Sequence, residues 1–93
     1  MDFSRALIEL KHGKAIARMG WNGRDMWLTY SPGNKALDAS HFWAARNQRF
    51  ANDNGGAAEV LPCITMKTAD GKIQMGWLAS QSDLLADDWF AFD

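Results

Sequence analysis

Ala15-Ile16-Ala17-Arg18-Met19-Gly20-Trp21-Asn22-Gly23-Arg24-Asp25-Met26-Trp27-Leu28-Thr29-Tyr30 is the stretch that decides the fold. Its first part, Ala15 to Trp21, reads as extended. Asn22-Gly23 is the dipeptide best suited to a turn that needs positive φ, and Met26 to Tyr30 reads as the returning strand, so the whole is a β-hairpin. Successive side chains of a strand point to opposite faces. Ile16 therefore faces one way and Ala17, Met19 and Trp21 the other, while Met26, Leu28 and Tyr30 oppose Trp27. Both faces carry apolar groups. One helix covers one face of a sheet, so the second face is expected to meet another subunit or a ligand.

Outward from the hairpin, Asp2 is placed to cap a helix whose Phe3, Ala6, Leu7 and Leu10 share one face, with Gly13 as a left-handed stop. Downstream, Ser31-Pro32-Gly33-Asn34 breaks the chain, because proline fixes φ and glycine permits a reversal. A helix capped by Asp38 and carrying Phe42, Trp43, Ala44, Ala45 and Phe50 is expected to run to about Asn54, as an excursion from the sheet. Glu59 to Lys67 reads as a strand, Asp70-Gly71 as a hairpin turn, Ile73 to Leu78 as its partner and Trp89 to Phe92 as a terminal strand. Between the last two, Ser82-Asp83 can cap a short helical turn through Leu84, Leu85 and Ala86. The fold class is α+β: a small, mainly antiparallel sheet with an N-terminal helix and a mid-chain helical excursion, in one domain over residues 1–93.

At 93 residues the chain is expected to bury only about 60% of its unfolded surface, which leaves stability thin and makes oligomerisation the readiest supplement. The single cysteine, Cys63, excludes an internal disulfide and points to a reducing, cytosolic home; two scattered histidines offer no zinc-type cluster. No secretion signal and no run of apolar residues long enough to span a bilayer is present, so a soluble protein with no membrane partner is expected. A formal charge of −1 argues against a DNA or RNA duplex as partner, yet a compact anionic ligand needs only a few local donors. Five tryptophans, five phenylalanines and one tyrosine exceed what so small a core can hide, and spare indoles gravitate to interfaces and ligand sites.

Three segments carry a family resemblance: Lys11-His12-Gly13-Lys14 at the end of the first helix, Gly20-Trp21-Asn22-Gly23, and a C-terminal run. That run goes from Met66-Lys67-Thr68-Ala69-Asp70-Gly71 through Trp77-Leu78-Ala79-Ser80-Gln81-Ser82-Asp83 to Ala86-Asp87-Asp88-Trp89. In these the chain resembles the Thoeris anti-defence two proteins of phages and prophages. The resemblance implies a homotetrameric sponge of antiparallel sheet and helices, with pockets where protomers meet. These would bind glycocyclic ADP-ribose immune messengers without cleaving them, in the cytoplasm of the infected bacterial host. The resemblance further implies that some relatives also hold cyclic dinucleotides or trinucleotides from a different immune system, at separate sites. Residues 36–58 are where such proteins are expected to differ in length, and no functional role is carried onto them.

Candidate ligand residues follow from combining chemistry with that resemblance. Trp21, Asn22 and Gly23 can present an indole for base stacking beside backbone and amide hydrogen-bonding groups; the alternative is a hairpin turn with a packed indole. Arg18, Arg24 and Lys67, near strand ends, can meet a pyrophosphate, although Arg18 among apolar neighbours equally wants an acidic partner such as Asp83 or Asp87. Trp77 and Gln81 are the expected ligand contacts of the C-terminal run, whereas Ser80, Ser82 and Asp83 suit helix capping, and Asp87 and Asp88 read as the helix's solvated end. Trp89 is expected in the core or a subunit contact.

No nucleophile motif, phosphate-cradling glycine loop or metal-ligand pair accompanies Cys63, His41 or the serines, so neither catalytic residues, nor a metal, nor a cofactor is expected. Two rivals to a sponge stand: a module docking an aromatic face onto a host or phage protein, and a nucleotide-cleaving enzyme.

Overall fold

The computed structural model describes residues 1–21 and 25–93. Among these the chain forms seven strands and three α-helices in the α+β arrangement expected, divided between two compact units: Met1–Ser31 with Cys63–Asp93, and Pro32–Pro62. No helix among the described residues is long and apolar enough to cross a membrane.

The first unit begins with α1 (Phe3–Lys11). Asp2 accepts the Arg5 N–H at 2.9 Å as its N-cap, and Gly13 follows the last turn with φ +97°. Five strands form one antiparallel sheet: β1 (Ala15–Arg18), β2 (Trp27–Ser31), β5 (Cys63–Lys67), β6 (Ile73–Met75) and β7 (Trp89–Phe92), in the order β6-β5-β2-β1-β7. Register sets the faces. Ile16 pairs with Leu28 and Ala91, Leu28 with Met66, Tyr30 with Ile64, and Arg18 with Trp89, so all of these share the face that α1 covers. There Ala6, Leu10, Ile16, Leu28 and Trp89 form the buried core, ringed by Phe3, Leu7, Trp21, Tyr30, Ile64, Met66 and Trp77. Each fully buried Leu or Ile contributes about 1.5 to 3 kcal/mol through removal from water. The opposite face carries Ala17 paired with Phe90, Trp27 with Lys67, and Thr29 with Thr65, whose hydroxyls hydrogen-bond at 2.7 Å. Apolar groups thus lie on both faces, as strand parity required.

A third short helix, α3 (Gln81–Leu85), stands between β6 and β7. The Ser80 hydroxyl accepts the Asp83 N–H at 3.1 Å while the Asp83 carboxylate accepts the Ser80 N–H, a reciprocal capping box.

The second unit holds β3 (Asn34–Asp38), antiparallel to β4 (Ala57–Val60), with a single 3₁₀ turn (Ala39–His41) and α2 (Ala45–Asp53) between them. Gly33 enters it with φ +75°. A Cβ there would collide with the Val60 carbonyl oxygen and stand 2.9 Å from Leu61 C and Pro62 N, so only glycine fits between the two backbones.

Four elements depart from expectation. The single strand from Glu59 to Lys67 is two strands in different sheets, because Pro62 has no N–H for a ladder and ends pairing after Val60. The helix expected from Asp38 is interrupted. Asp38 caps only the 3₁₀ turn through the Ser40 N–H at 2.9 Å, Phe42 is extended at φ −77° and ψ 140°, and α2 starts after Ala44. The strand from Ile73 stops at Met75, before Gly76 at φ +86°. Finally, β1 ends at Arg18, so strand parity does not govern Trp21, whose ring packs edge-on against Trp89 at the border of the core. The Asn22-Gly23 turn lies outside the described residues.

Candidate functional site

Arg18 is the last residue of β1 and, by register with Trp89, points along the core face to its rim. There its guanidinium meets two carboxylates. Nη1 donates to Asp83 Oδ1 and Nε to Asp88 Oδ1, both at 2.8 Å, with side-chain exposures of 19% for Arg18, 15% for Asp83 and 31% for Asp88. Asp88 Oδ2 also accepts the Gly20 N–H at 2.8 Å, and a Cβ on Gly20 would stand only 2.8 Å from that oxygen. The partner anticipated for Arg18 is thus found in Asp83, and Asp88, read from sequence as solvated, is the second.

Asp83 is a hub. Its Oδ1 also accepts the Trp21 indole N–H at 3.2 Å, and its main-chain carbonyl accepts the Trp89 indole N–H at 2.9 Å. Partial burial works to raise its pKa, but the hydrogen bonds from Arg18, Trp21 and Ser80 together outweigh that and hold the carboxyl below its ordinary value. Asp88 is held low chiefly by the Arg18 hydrogen bond against a smaller burial penalty, helped by the Gly20 N–H. Reciprocally, the hydrogen bonds to Asp88 and Asp83 raise Arg18. The network ties the α3 segment and the start of β7 to the end of β1.

Beside this clasp the surface around the end of β1 is hollowed. One depression of about 380 Å³ is lined by Ala17, Arg18, Met19, Trp21, Asp25, Met26 and Phe90. A second, of about 290 Å³, shares Ala17, Asp25, Met26 and Phe90 with it and adds Trp27 and Phe92. Ala17 permits the hollow by being small where its neighbours are aromatic. The walls are held by ring contacts: Trp27 meets Phe92 edge-on with centroids 6.2 Å apart, and Phe90 stacks with Phe92 at 5.7 Å. Lys67 Nζ lies 4.8 Å from the centre of the Trp27 ring and donates to the Asp25 carbonyl at 2.7 Å, which orients both. Asp25 itself sits at φ +57°, a left-handed position that Asp tolerates. Such a concave surface with aromatic walls and a few polar groups suits a small planar molecule.

The structure brings Arg18 and Trp21 together at this depression. Lys67 borders it through Trp27 and Asp25. Trp77 lies in the ring of side chains around the core, with Trp21, Trp89 and Phe3 as neighbours at 6.2 to 6.5 Å between centroids. Gln81 is an exposed first residue of α3. Asn22, Gly23 and Arg24 lie outside the described residues, although in the chain they join Trp21 to Asp25. Sequence reasoning missed Ala17, Met19, Asp25, Met26 and Phe90 as lining residues; only pairing of β1 with β7 reveals the Ala17–Phe90 neighbourhood. Among the described residues no three His, Cys, Asp or Glu side chains converge to hold a metal ion.

Comparison with known proteins covers nearly the whole chain. Residues 1–92 match the family model of the Thoeris anti-defense 2-like domain. The chain is also similar to Thoeris anti-defense 2 of Bacillus phage SP01, at 39% identity over 96 residues that cover 96% of this chain and 91% of that protein. With nearly all of its length aligned in both comparisons, this chain belongs to the Thoeris anti-defense 2-like family.

Proposed function

We propose that this protein binds and sequesters cyclic nucleotide immune messengers of the glycocyclic ADP-ribose class without cleaving them, and so inhibits Thoeris-type host immunity. Family membership supports a phage anti-defence role. The observation that carries the finer reading is the position of Trp21. Its N–H is already satisfied by Asp83 and its ring is propped edge-on against Trp89 at 5.3 Å, while the same residue lines the depression with Ala17 and Phe90. An indole fixed in this way is a platform on which a base can stack at little entropic cost.

Asn22, Gly23 and Arg24, which follow Trp21 in the chain, supply hydrogen bonds and charge, and Lys67 adds an ammonium with one of its three donors committed to Asp25. A pyrophosphate reaching Arg18 competes with two carboxylates, so Arg18 contributes mainly by holding Trp21 and the α3 segment in place. Trp77 supports Trp21, and Gln81 supplies a polar rim. The apolar groups on the face away from α1, with Phe90 39%, Ile73 63% and Met75 53% exposed, favour assembly into a homotetramer acting in the cytoplasm of the infected cell. By family resemblance alone, cyclic dinucleotides and trinucleotides are proposed as a further ligand class.

Incubating the protein with glycocyclic ADP-ribose, followed by native mass spectrometry and heating, tests this directly. Free messenger should fall in proportion to sites and return on heating with unchanged mass, on an assembly of about four times the 10.4 kDa chain mass. Trp21→Ala should weaken binding by about 1 to 3 kcal/mol with the assembly intact. A hydrolysed product that outgrows the number of sites would make the protein an enzyme, and a well-folded monomer would sink the shared-pocket assembly.

A further inference from the structure

α2 buries one side within its own unit, where Ala51 is fully buried, and turns the other outward. That outward side carries Arg46, Arg49, Phe50 and Asp53, spaced i, i+3, i+4 and i+7 so that they form one stripe around a shallow depression of about 260 Å³. Phe50 is 62% exposed, and Trp43, just before the helix, is 90% exposed. Lys14, Arg18, Lys35 and Lys72 are each in an ion pair; among the described residues neither Arg46 nor Arg49 is. Two guanidiniums in no ion pair among the described residues, next to a protruding phenyl ring, are residue types enriched in protein recognition.

From this stripe we infer that the outer face of α2 docks an acidic, apolar segment of another protein. Charge argues for a protein over a nucleic acid or an anionic bilayer. Within Pro32–Pro62, Lys35, Arg46 and Arg49 are matched by Asp38, Asp53 and Glu59, and the whole chain carries −1, so no long-range basic field exists to gather polyphosphate or lipid headgroups. Attraction is confined to the stripe. The stripe also has polarity, since two cations lie toward the N-terminal end, Phe50 follows, and Asp53 closes it. The complementary partner presents two carboxylates, then an apolar cleft, then a cation or N–H donor, over about 10 Å of helix rise. This inference is independent of messenger binding, and none of its residues lines the depressions beside Trp21.

The test uses the full chain and two labelled amphipathic helical peptides with the same leucine seam. One has glutamates flanking the seam and a terminal lysine; the other has these charges exchanged. Fluorescence anisotropy should show the glutamate peptide binding about tenfold or more tightly than its exchanged counterpart, and losing affinity as salt is raised to about 0.5 M. Arg46→Glu with Arg49→Glu should reverse the preference, and Phe50→Ser should weaken both peptides, with circular dichroism unchanged. The wild-type comparison needs no variant, so a misfolded substitution leaves the inference testable. Equal affinity for both peptides, no binding of the glutamate peptide, or stronger binding to phosphatidylglycerol vesicles than to that peptide would each overturn it.

Discussion

The unit made of Met1–Ser31 and Cys63–Asp93 buries Leu10, Ile16, Leu28 and Trp89 to 2% exposure or less, whereas Pro32–Pro62 buries only two alanines, Ala39 and Ala51. Its large apolar side chains Trp43, Phe50 and Leu61 stand mostly in solvent. The first unit is held by side-chain packing across a sheet. The second is held by a two-stranded ladder, an Asp38 turn cap and main-chain bonds such as Ala39 N–H to the Gly56 carbonyl at 2.9 Å. Where packing holds the chain, an aromatic residue is committed; where the backbone holds it, an aromatic residue remains available for something else.

This contrast breaks most sharply at Trp89. Replacing it with Ala removes the largest buried side chain and the indole bond to the Asp83 carbonyl, and should cost about 3 to 5 kcal/mol, read as a lower urea midpoint. A cost under about 1 kcal/mol would mean that the first unit is not packed as described. Arg18→Ala comes next: it strands two partly exposed carboxylates, and a smaller fall in the same urea midpoint than for Trp89→Ala is expected.

Acid sharpens the same point. Asp83 and Asp88 have folded-state pKa values below their unfolded ones, so their contribution to stability is complete above the ordinary carboxylate value of about 3.9 and is lost as pH falls through the lower folded values. Thermal unfolding followed from pH 6 downward should be flat until about pH 4 and then decline, and Arg18→Ala, which removes the chief cause of the low folded-state values, should show a shallower decline. The smallest effect belongs to the second unit. Phe50→Ala, with its ring mostly in solvent, should change stability by less than about 0.5 kcal/mol, and a larger loss would show that the ring is packed.

Legibility in the sequence followed the same division. The α1 helix, β7 and the Asp70-Gly71 turn were readable because their signals are local: a cap and one apolar face, an aromatic run, and a turn dipeptide across which Thr68 N–H meets the Lys72 carbonyl at 2.7 Å. Strand β3 was not, since Asn34–Asp38 lacks alternation and is extended only because β4 pairs with it. Pro62 did carry the signal that splits the expected Glu59 to Lys67 strand, and the apolar run around it masked that signal. At the site, Asp83 was foreseeable as a partner for Arg18. Asp88, Ala17 and Phe90 were not, because their positions depend on pairing between opposite ends of the chain.

Gly33 gives the Pro32–Pro62 unit a fixed doorway. With room for no Cβ between it and the Val60 carbonyl, the incoming and outgoing backbones are held at one spacing whatever lies between them. Insertions, deletions or grafted segments placed between Asn34 and Val60 inherit that spacing and need only span it. Changes of length between Asn34 and Val60 should therefore be tolerated better than any substitution of Gly33.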